Sequence, residues 1–107
     1  FKYVPTVWDE THYLAGEIGE YVSVARRKGK VWFIGNAAGL KGWKGSIELD
    51  FLKANTLYEA SIYEDDGKGG ISKRIIQVKK GEDFRVNIKA KGGQAIIMRP
   101  LRDNREG

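Results

Sequence analysis

The stretch Ser46-Ile47-Glu48-Leu49-Asp50-Phe51 alternates polar and apolar residues one by one. Successive side chains of a β-strand point to opposite faces, so this pattern predicts a strand with one face on a core and one in water. A second alternation of the same kind runs from Asp83 to Lys89. Further strands are predicted around Tyr58, Ala60 and Ile62, around Ile76 and Val78, and from Gln94 to Met98 after the turn signal Gly92-Gly93.

Segments of this kind recur at the spacing of roughly 8–12 residues that is typical of all-β domains, and helical periodicity is hard to find. The sequence therefore predicts an all-β fold, an antiparallel two-sheet β-sandwich of about eight strands. Residues 1–6 are expected to be a linker from a preceding domain, with Pro5 favouring extended backbone at Val4. Residues 7–99 form the predicted sandwich, and the charged residues 100–107, with Leu101 as their one apolar anchor, a flexible tail.

The segment Lys30 to Ala37 differs because it is apolar on both faces, with Trp32 and Ile34 on one and Val31 and Phe33 on the other. In a two-layer sandwich only one face of a strand meets the core, so a loop, a partner subunit or a neighbouring domain must cover the second. The preceding segment, Tyr21 to Arg27, is predicted to pair with it through a tight turn at Lys28-Gly29. Its pattern leaves open whether Val22 and Val24 or Tyr21 and Ala25 face outward.

The composition narrows the function classes. A chain of 107 residues builds one modest core, and its absence of cysteine together with a single histidine excludes thiolate zinc sites and multi-histidine cages. No run reaches the roughly 18 apolar residues of a membrane helix. The net charge of +5 arises from 19 basic and 14 acidic residues that are interspersed along the chain. Short basic clusters at 26–30 and 79–80 are more typical of solvated hairpin ends than of a phosphate-binding track.

The candidate polar groups favour structural roles over catalysis. Asp9 and Glu10 are adjacent, and neighbours on a strand point to opposite faces, so the pair cannot flank one glycosidic bond. We expect them to cap the first strand or to pair with Arg26 or Arg27. The loop Glu64 to Gly70 holds three carboxylates but lacks the ligand spacing of an EF-hand, which favours a solvated hairpin loop over a calcium site. His12 is expected on a strand surface rather than as a general base.

The aromatic residues allow more than one interpretation. Trp43, in the glycine-rich loop Ala37 to Gly45, could stack on a sugar or fold back to close one end of the sandwich, and the usual burial of large aromatics favours the second. Stacking of nucleic-acid bases on Trp32, Phe33 and Tyr21 is disfavoured, because the basic residues gather at a turn.

Three runs, Pro5 to Thr11, Gly16 to Tyr21 and Ala25 to Gly35, resemble the start of the C-terminal β-sandwich domain of glycoside hydrolase family 97. That family comprises bacterial α-glucosidases and α-galactosidases whose catalytic machinery lies in a preceding (β/α)8 barrel. The resemblance departs at Asn36 to Gly39, where a more polar turn is expected. It implies a non-catalytic accessory domain with no catalytic residue, no metal site and no cofactor of its own, any calcium of the parent enzyme being bound elsewhere.

The resemblance also implies the partners. The expected partners are the barrel of the same chain and further copies in a homo-oligomer. No nucleic acid or membrane partner is expected, and the parent enzyme is expected to be periplasmic or secreted. Trp8, Tyr21, Val31 and Phe33 are the candidate interdomain or subunit contacts, and Trp43 is a candidate sugar contact. Two alternatives stay open: a free-standing carbohydrate-binding module acting through Trp43, and a basic nucleic-acid-binding barrel whose affinity falls steeply with salt. As an accessory domain, the isolated chain is expected to self-associate through the outward patch around Phe33, or to bind a hydrophobic dye there.

Overall fold

The computed structural model describes residues 7–65 and 69–101, which form eight β-strands. No helix capable of crossing a bilayer is found among these residues. The strands are β1 (Glu10–Glu17), β2 (Tyr21–Lys28), β3 (Val31–Ala38), β4 (Trp43–Glu48), β5 (Leu57–Asp65), β6 (Ile71–Lys79), β7 (Asp83–Ile88) and β8 (Gly93–Pro100).

Six strands form one large sheet in the order β1-β2-β3-β8-β5-β6, and β4 and β7 form a small sheet of two. All pairings are antiparallel. The predicted all-β, two-sheet antiparallel sandwich of eight strands is therefore confirmed, with an unequal division of strands between the layers.

The core lies between one face of the large sheet and the apolar side of the small sheet. Because side chains alternate along each strand, every second residue of β3, β5 and β8 points at the small sheet. We call this side of the large sheet the inner face and the opposite side the outer face. The buried apolar side chains of the large sheet include Ala25, Trp32, Ile34, Ala60, Ile62, Ile96 and Met98, and those of the small sheet include Trp43, Ile47, Phe84, Val86 and Ile88.

One end of the core is polar. Asn36 and Gln94 are directly paired across β3 and β8, and both are buried. The Asn36 Nδ2 group donates a hydrogen bond of 2.7 Å to Gln94 Oε1. This bond satisfies one polar atom of each amide, while Asn36 Oδ1 and Gln94 Nε2 are buried without a hydrogen-bond partner among the described residues.

Two predicted boundaries shift in the structure. The strand predicted from Ser46 to Phe51 is observed as β4, which begins at Trp43 and ends at Glu48. It ends there because the next residue, Leu49, bonds to the β6–β7 turn: its N–H donates to Glu82 O, and its carbonyl oxygen accepts from Gly81 N–H. The tight turn after β2 consists of Gly29 and Lys30 instead of Lys28 and Gly29. Gly29 has φ 62°, the positive value that the first position of a type II′ turn requires.

The strand directions place the two ends of the described chain together. Glu10 of β1 lies level with Met98 of β8 across the sheet, so Trp8 and Leu101 lie at one end, which we call the proximal end. β8 continues through Pro100, and Leu101 N–H donates to Leu57 O, so ordered backbone extends past residue 99. The turn between β1 and β2 lies at the opposite, distal end. The predicted linker over residues 1–6, the tail from residue 102 and the loop residues 66–68 lie outside the described residues.

Candidate contact surface on the outer face of the large sheet

The outer face of the large sheet carries a row of apolar side chains that the small sheet does not cover. Val24, Gly35, Ala95 and Tyr63 lie side by side on β2, β3, β8 and β5. Two small residues stand between two large ones, so the surface forms a shallow trough over the central strands. The next row toward the proximal end includes Phe33, which is half-buried, and Ile97, which is buried.

At Gly35, none of the residues that the structure describes fills the trough. Its φ is not among the positive values that favour glycine. A Cβ atom placed on Gly35 would have no neighbour within 4 Å. Neither backbone conformation nor local crowding therefore explains a glycine in the middle of a central strand, where glycine is normally unfavourable. The open space fits close approach by another part of a larger protein.

An aromatic stack covers the proximal end of the outer face. The rings of Trp8 and Phe33 meet edge to face, with centroids 5.2 Å apart and planes at 65°. Arg26 Cζ lies 5.8 Å from the centroid of the Trp8 ring, within cation–π range. Near the start of the described residues, the chain thus places the Trp8 side chain against this face.

Three of the four predicted contact residues lie on this side of the sheet. Trp8, Val31 and Phe33 are half-buried on the outer face or against it, and their role as contacts stays a prediction. Tyr21 lies on the inner side instead, with its ring stacked 4.4 Å from that of Trp43. The choice left open by the sequence is resolved, because Val22 and Val24 face outward while Ala25 is fully buried in the core.

Trp43 occupies the position that the core-closing interpretation requires. Its side chain is 8% exposed, and Tyr21 covers one face of the indole. A sugar ring stacks on an exposed aromatic face, which this arrangement does not offer. The arrangement supports a structural role for Trp43.

The carboxylates beside Trp8 are held by a network of local bonds. Glu10 Oε1 accepts from Arg27 Nε at 2.7 Å, and Glu10 Oε2 lies 2.8 Å from His12 Nε2. Asp9 Oδ2 accepts from Gly29 N–H at 2.8 Å. The predicted pairing of Asp9 and Glu10 with Arg27 is confirmed.

These bonds favour the charged carboxylates. The Gly29 N–H bond, aided by the charges of Lys28 and Arg27, lowers the pKa of Asp9 below its ordinary value. Hydrogen bonds from His12 and Arg27 lower the pKa of Glu10. A general acid needs a raised pKa, so the direction of both shifts argues against acid catalysis by this pair.

A second carboxylate pair was not singled out from the sequence. Glu48 ends β4 and Asp50 follows it two residues later. A hydrogen bond with Asp50, followed by the charges of Asp50 and Asp83, raises the pKa of Glu48. The i, i+2 spacing could have indicated it, because such residues share one face of an extended chain. Within residues 7–65 and 69–101, no group of three His, Cys, Asp or Glu side chains is placed to hold a metal ion.

Comparison with known proteins identifies what this sandwich is similar to. Residues 7–99 match the sequence profile described as glycosyl-hydrolase 97 C-terminal, oligomerisation. A retaining α-galactosidase of Bacteroides thetaiotaomicron is 36% identical over a region that includes 87% of this chain and 15% of that protein. A probable retaining α-galactosidase of Streptomyces bingchenggensis is 31% identical, with 88% of this chain and 14% of that protein covered.

Solved structures share the fold. A glycoside hydrolase family 97 enzyme from Pseudoalteromonas sp. strain K8, in complex with acarbose, superposes with a TM-score of 0.85 at 26% identity. The match covers 92% of this chain and 17% of that enzyme. A β-arabinopyranosidase structure matches with a TM-score of 0.74 at 31% identity, covering 88% of this chain and 15% of that one. The chain thus spans about one sixth of the length of the proteins it matches.

Proposed function

Because the chain belongs to the glycosyl-hydrolase 97 C-terminal family, described by its role in oligomerisation, we propose that it serves as the non-catalytic accessory domain of an α-glycosidase. The two relatives described above are named a retaining α-galactosidase and a probable retaining α-galactosidase, so an aryl α-galactoside is the first substrate to test on the parent enzyme. Catalysis belongs to the preceding region of that polypeptide, and a (β/α)8 barrel is the fold we propose for it.

The outer face is the surface that we propose for contact with that preceding region. The observation that carries this proposal is the position of Trp8, which lies on Phe33 of the outer face as the chain arrives from its N-terminal side. Polypeptide that precedes Trp8 in a longer protein therefore reaches the domain beside an open apolar trough. Covering that trough with the catalytic region removes apolar surface from water, which is favourable by about 25 cal/mol per Å2.

Catalytic assays test the non-catalytic part of the proposal. The isolated chain should release no nitrophenol from nitrophenyl α-galactoside or α-glucoside, while the polypeptide that includes the preceding region should hydrolyse one of them. Turnover by the isolated chain that survives repurification and is lost in Asp9→Asn or Glu10→Gln would refute it.

Stability measurements test the contact surface. Phe33→Ser should lower the unfolding midpoint of the longer polypeptide more than that of the isolated chain, because only the former loses an interdomain contact. Leu40→Ser, at an exposed position of the loop after β3 and away from the outer face near Phe33, is the control and should affect both forms equally. An equal effect of Phe33→Ser in both forms would show that the outer face contacts nothing outside this domain.

A further inference from the structure

Three polar side chains lie side by side inside the core. Ser23 of β2 is paired with Asn36 of β3, and Asn36 is paired with Gln94 of β8, so the three share one row across the inner face. They are only 0%, 3% and 5% exposed. The next row toward the proximal end contains the buried apolar residues Ile34 and Ile96. We call Ser23, Asn36 and Gln94 the buried polar row.

The buried polar row has more polar atoms than hydrogen bonds. Asn36 Nδ2 donates to Gln94 Oε1, which satisfies one atom of each amide. Asn36 Oδ1, Gln94 Nε2 and Ser23 Oγ are buried and have no hydrogen-bond partner within the part of the chain that the structure describes. Buried polar atoms are normally paired, because an unpaired one loses its bond to solvent and gains none in return. Three such atoms in one row therefore indicate a partner that the protein does not supply.

The orientation of the two amides does not change this requirement. Exchanging the nitrogen and oxygen of both amides keeps their mutual bond, with Gln94 Nε2 as the donor, and leaves Asn36 Nδ2 and Gln94 Oε1 unpaired. Exchanging only one of them sets two like atoms against each other and breaks the bond. In every bonded arrangement one donor and one acceptor remain, together with the Ser23 hydroxyl.

The chemistry of these atoms selects the ligand. The partner must accept a bond from an amide N–H and donate one to an amide oxygen, and the Ser23 hydroxyl can do either. A cation would meet the amide N–H and an anion the amide oxygen, each with the wrong polarity. Water donates and accepts, carries no net charge, and typically makes about three hydrogen bonds when it is buried in a protein.

Short side chains surround Ser23, and room is the second requirement for a bound water. Ala15 of β1 is paired with Ser23, and Ala25 lies two residues further along β2 on the same face. Ala38 stands in the same relation to Asn36 on β3. All three alanines belong to the core or pack against it. None of these positions therefore places a large side chain beside the hydroxyl.

We propose that the buried polar row is a binding site for internal water, which accepts a hydrogen bond from Gln94 Nε2 and donates to Asn36 Oδ1, with Ser23 Oγ as a further partner. The bound water links β2, β3 and β8 on the inner face and is part of the folded structure. The site is separate from the outer face and from any contact with another protein region.

Ser23→Ala tests the site by the sign of its effect on the 107-residue chain. If the hydroxyl bonds to water, its removal deprives that water of a partner, and the unfolding midpoint should fall by about 2–8 °C. If the hydroxyl is simply unpaired, its removal should raise the midpoint. Ser46→Ala, at an exposed position of β4, is the matched control and should leave the midpoint unchanged. A midpoint raised by Ser23→Ala would overturn the inference.

Oxygen-17 magnetic relaxation dispersion detects the water directly, because it responds to water molecules that stay in a protein far longer than surface water does. The native chain should show a dispersion, and Asn36→Leu combined with Gln94→Leu should reduce its amplitude by at least one bound water, whereas Ser46→Ala should keep it. If the double variant does not fold, Ser23→Ala serves the same comparison. No dispersion from the native chain, or an undiminished one from the folded variant, would contradict the site. The hydrolysis and Phe33 tests of the proposed function are independent of this result.

Discussion

The two faces of β3 are both apolar in sequence but are buried to different extents in the structure. Trp32 and Ile34 on the inner face are almost completely buried, whereas Val31 and Phe33 on the outer face are half-buried and Gly35 is exposed. The inner face is covered by the small sheet, and the outer face receives from the described chain the ring of Trp8. Hydrophobicity identifies surfaces that must be covered, and the topology decides which one the domain covers by itself.

Truncation on the inner side should have the largest effect. Trp43→Ala removes a buried indole stacked on Tyr21 and should lower the free energy of unfolding by about 3–5 kcal/mol. Lys44→Ala, at the exposed neighbouring position, should change it by less than about 0.5 kcal/mol. Urea titration followed by tryptophan fluorescence and far-UV circular dichroism measures both. Retention of starch-like glucans by the native chain, lost in Trp43→Ala, would instead support a carbohydrate-binding module.

On the outer side, Phe33→Ser should cost the isolated chain about 1 kcal/mol, the usual worth of an edge-to-face aromatic contact such as that with Trp8. Binding of a hydrophobic dye should fall, because an exposed apolar group is lost. The same titration gives the free energy, and dye fluorescence gives the surface effect. A loss of about 3 kcal/mol or more would place Phe33 in the core and remove the contrast between the faces.

Gly35→Ala should leave the isolated chain unchanged or stabilise it by about 0.5–1 kcal/mol, because the added methyl group meets open space and restricts the unfolded chain. Gly42→Ala is the matched contrast. Gly42 has φ +71°, and its Cβ would lie 2.6 Å from Ile88 O, so this substitution should destabilise. In the longer polypeptide, Gly35→Ala should lower the free energy of unfolding if another region fills the trough, because the added methyl group would then meet that region. Destabilisation of the isolated chain would show that groups of this domain itself pack against Gly35.

Lowering the pH should change the stability in opposite directions through Asp9 and Glu10 on the one hand and Glu48 on the other. Both changes are expected to be small, because all three carboxylates are exposed. The pKa values of Asp9 and Glu10 are lowered on folding, so their contribution is present above the unfolded-state values and is lost as pH falls through the folded values. The raised pKa of Glu48 has the opposite sign and costs stability at neutral pH.

Unfolding midpoints between about pH 3 and pH 7 test this pair of signs. Asp9→Asn with Glu10→Gln should lower the midpoint at neutral pH and converge on the native value in acid. Glu48→Gln should raise the midpoint at neutral pH, and this gain should also vanish in acid. Parallel curves for all three proteins would contradict the assigned shifts.

Much of the fold could be predicted because alternation is a local property. The strands beginning at Tyr21 and Asp83 were predicted at their observed first residues, and the pleat alone places Phe33 on the face opposite Trp32 and Ile34. The site was predicted less completely. The inward position of Tyr21 depends on which surface the small sheet covers, and the closeness of Glu48 to Asp83 depends on the pairing of β4 with β7, which are far apart in sequence.

The sequence by itself determined that this chain forms antiparallel strands, that β3 is apolar on both sides, and that Asp9 and Glu10 could not act together on one bond. These properties depend on nearest neighbours along a strand, where side chains point alternately to two faces. Only the tertiary structure decided that the strands divide six and two, that Gly35 faces open space, and that Ser23, Asn36 and Gln94 lie in one buried row. Those properties depend on pairing between distant residues, because the cost of closing long loops is repaid only by the complete packed arrangement.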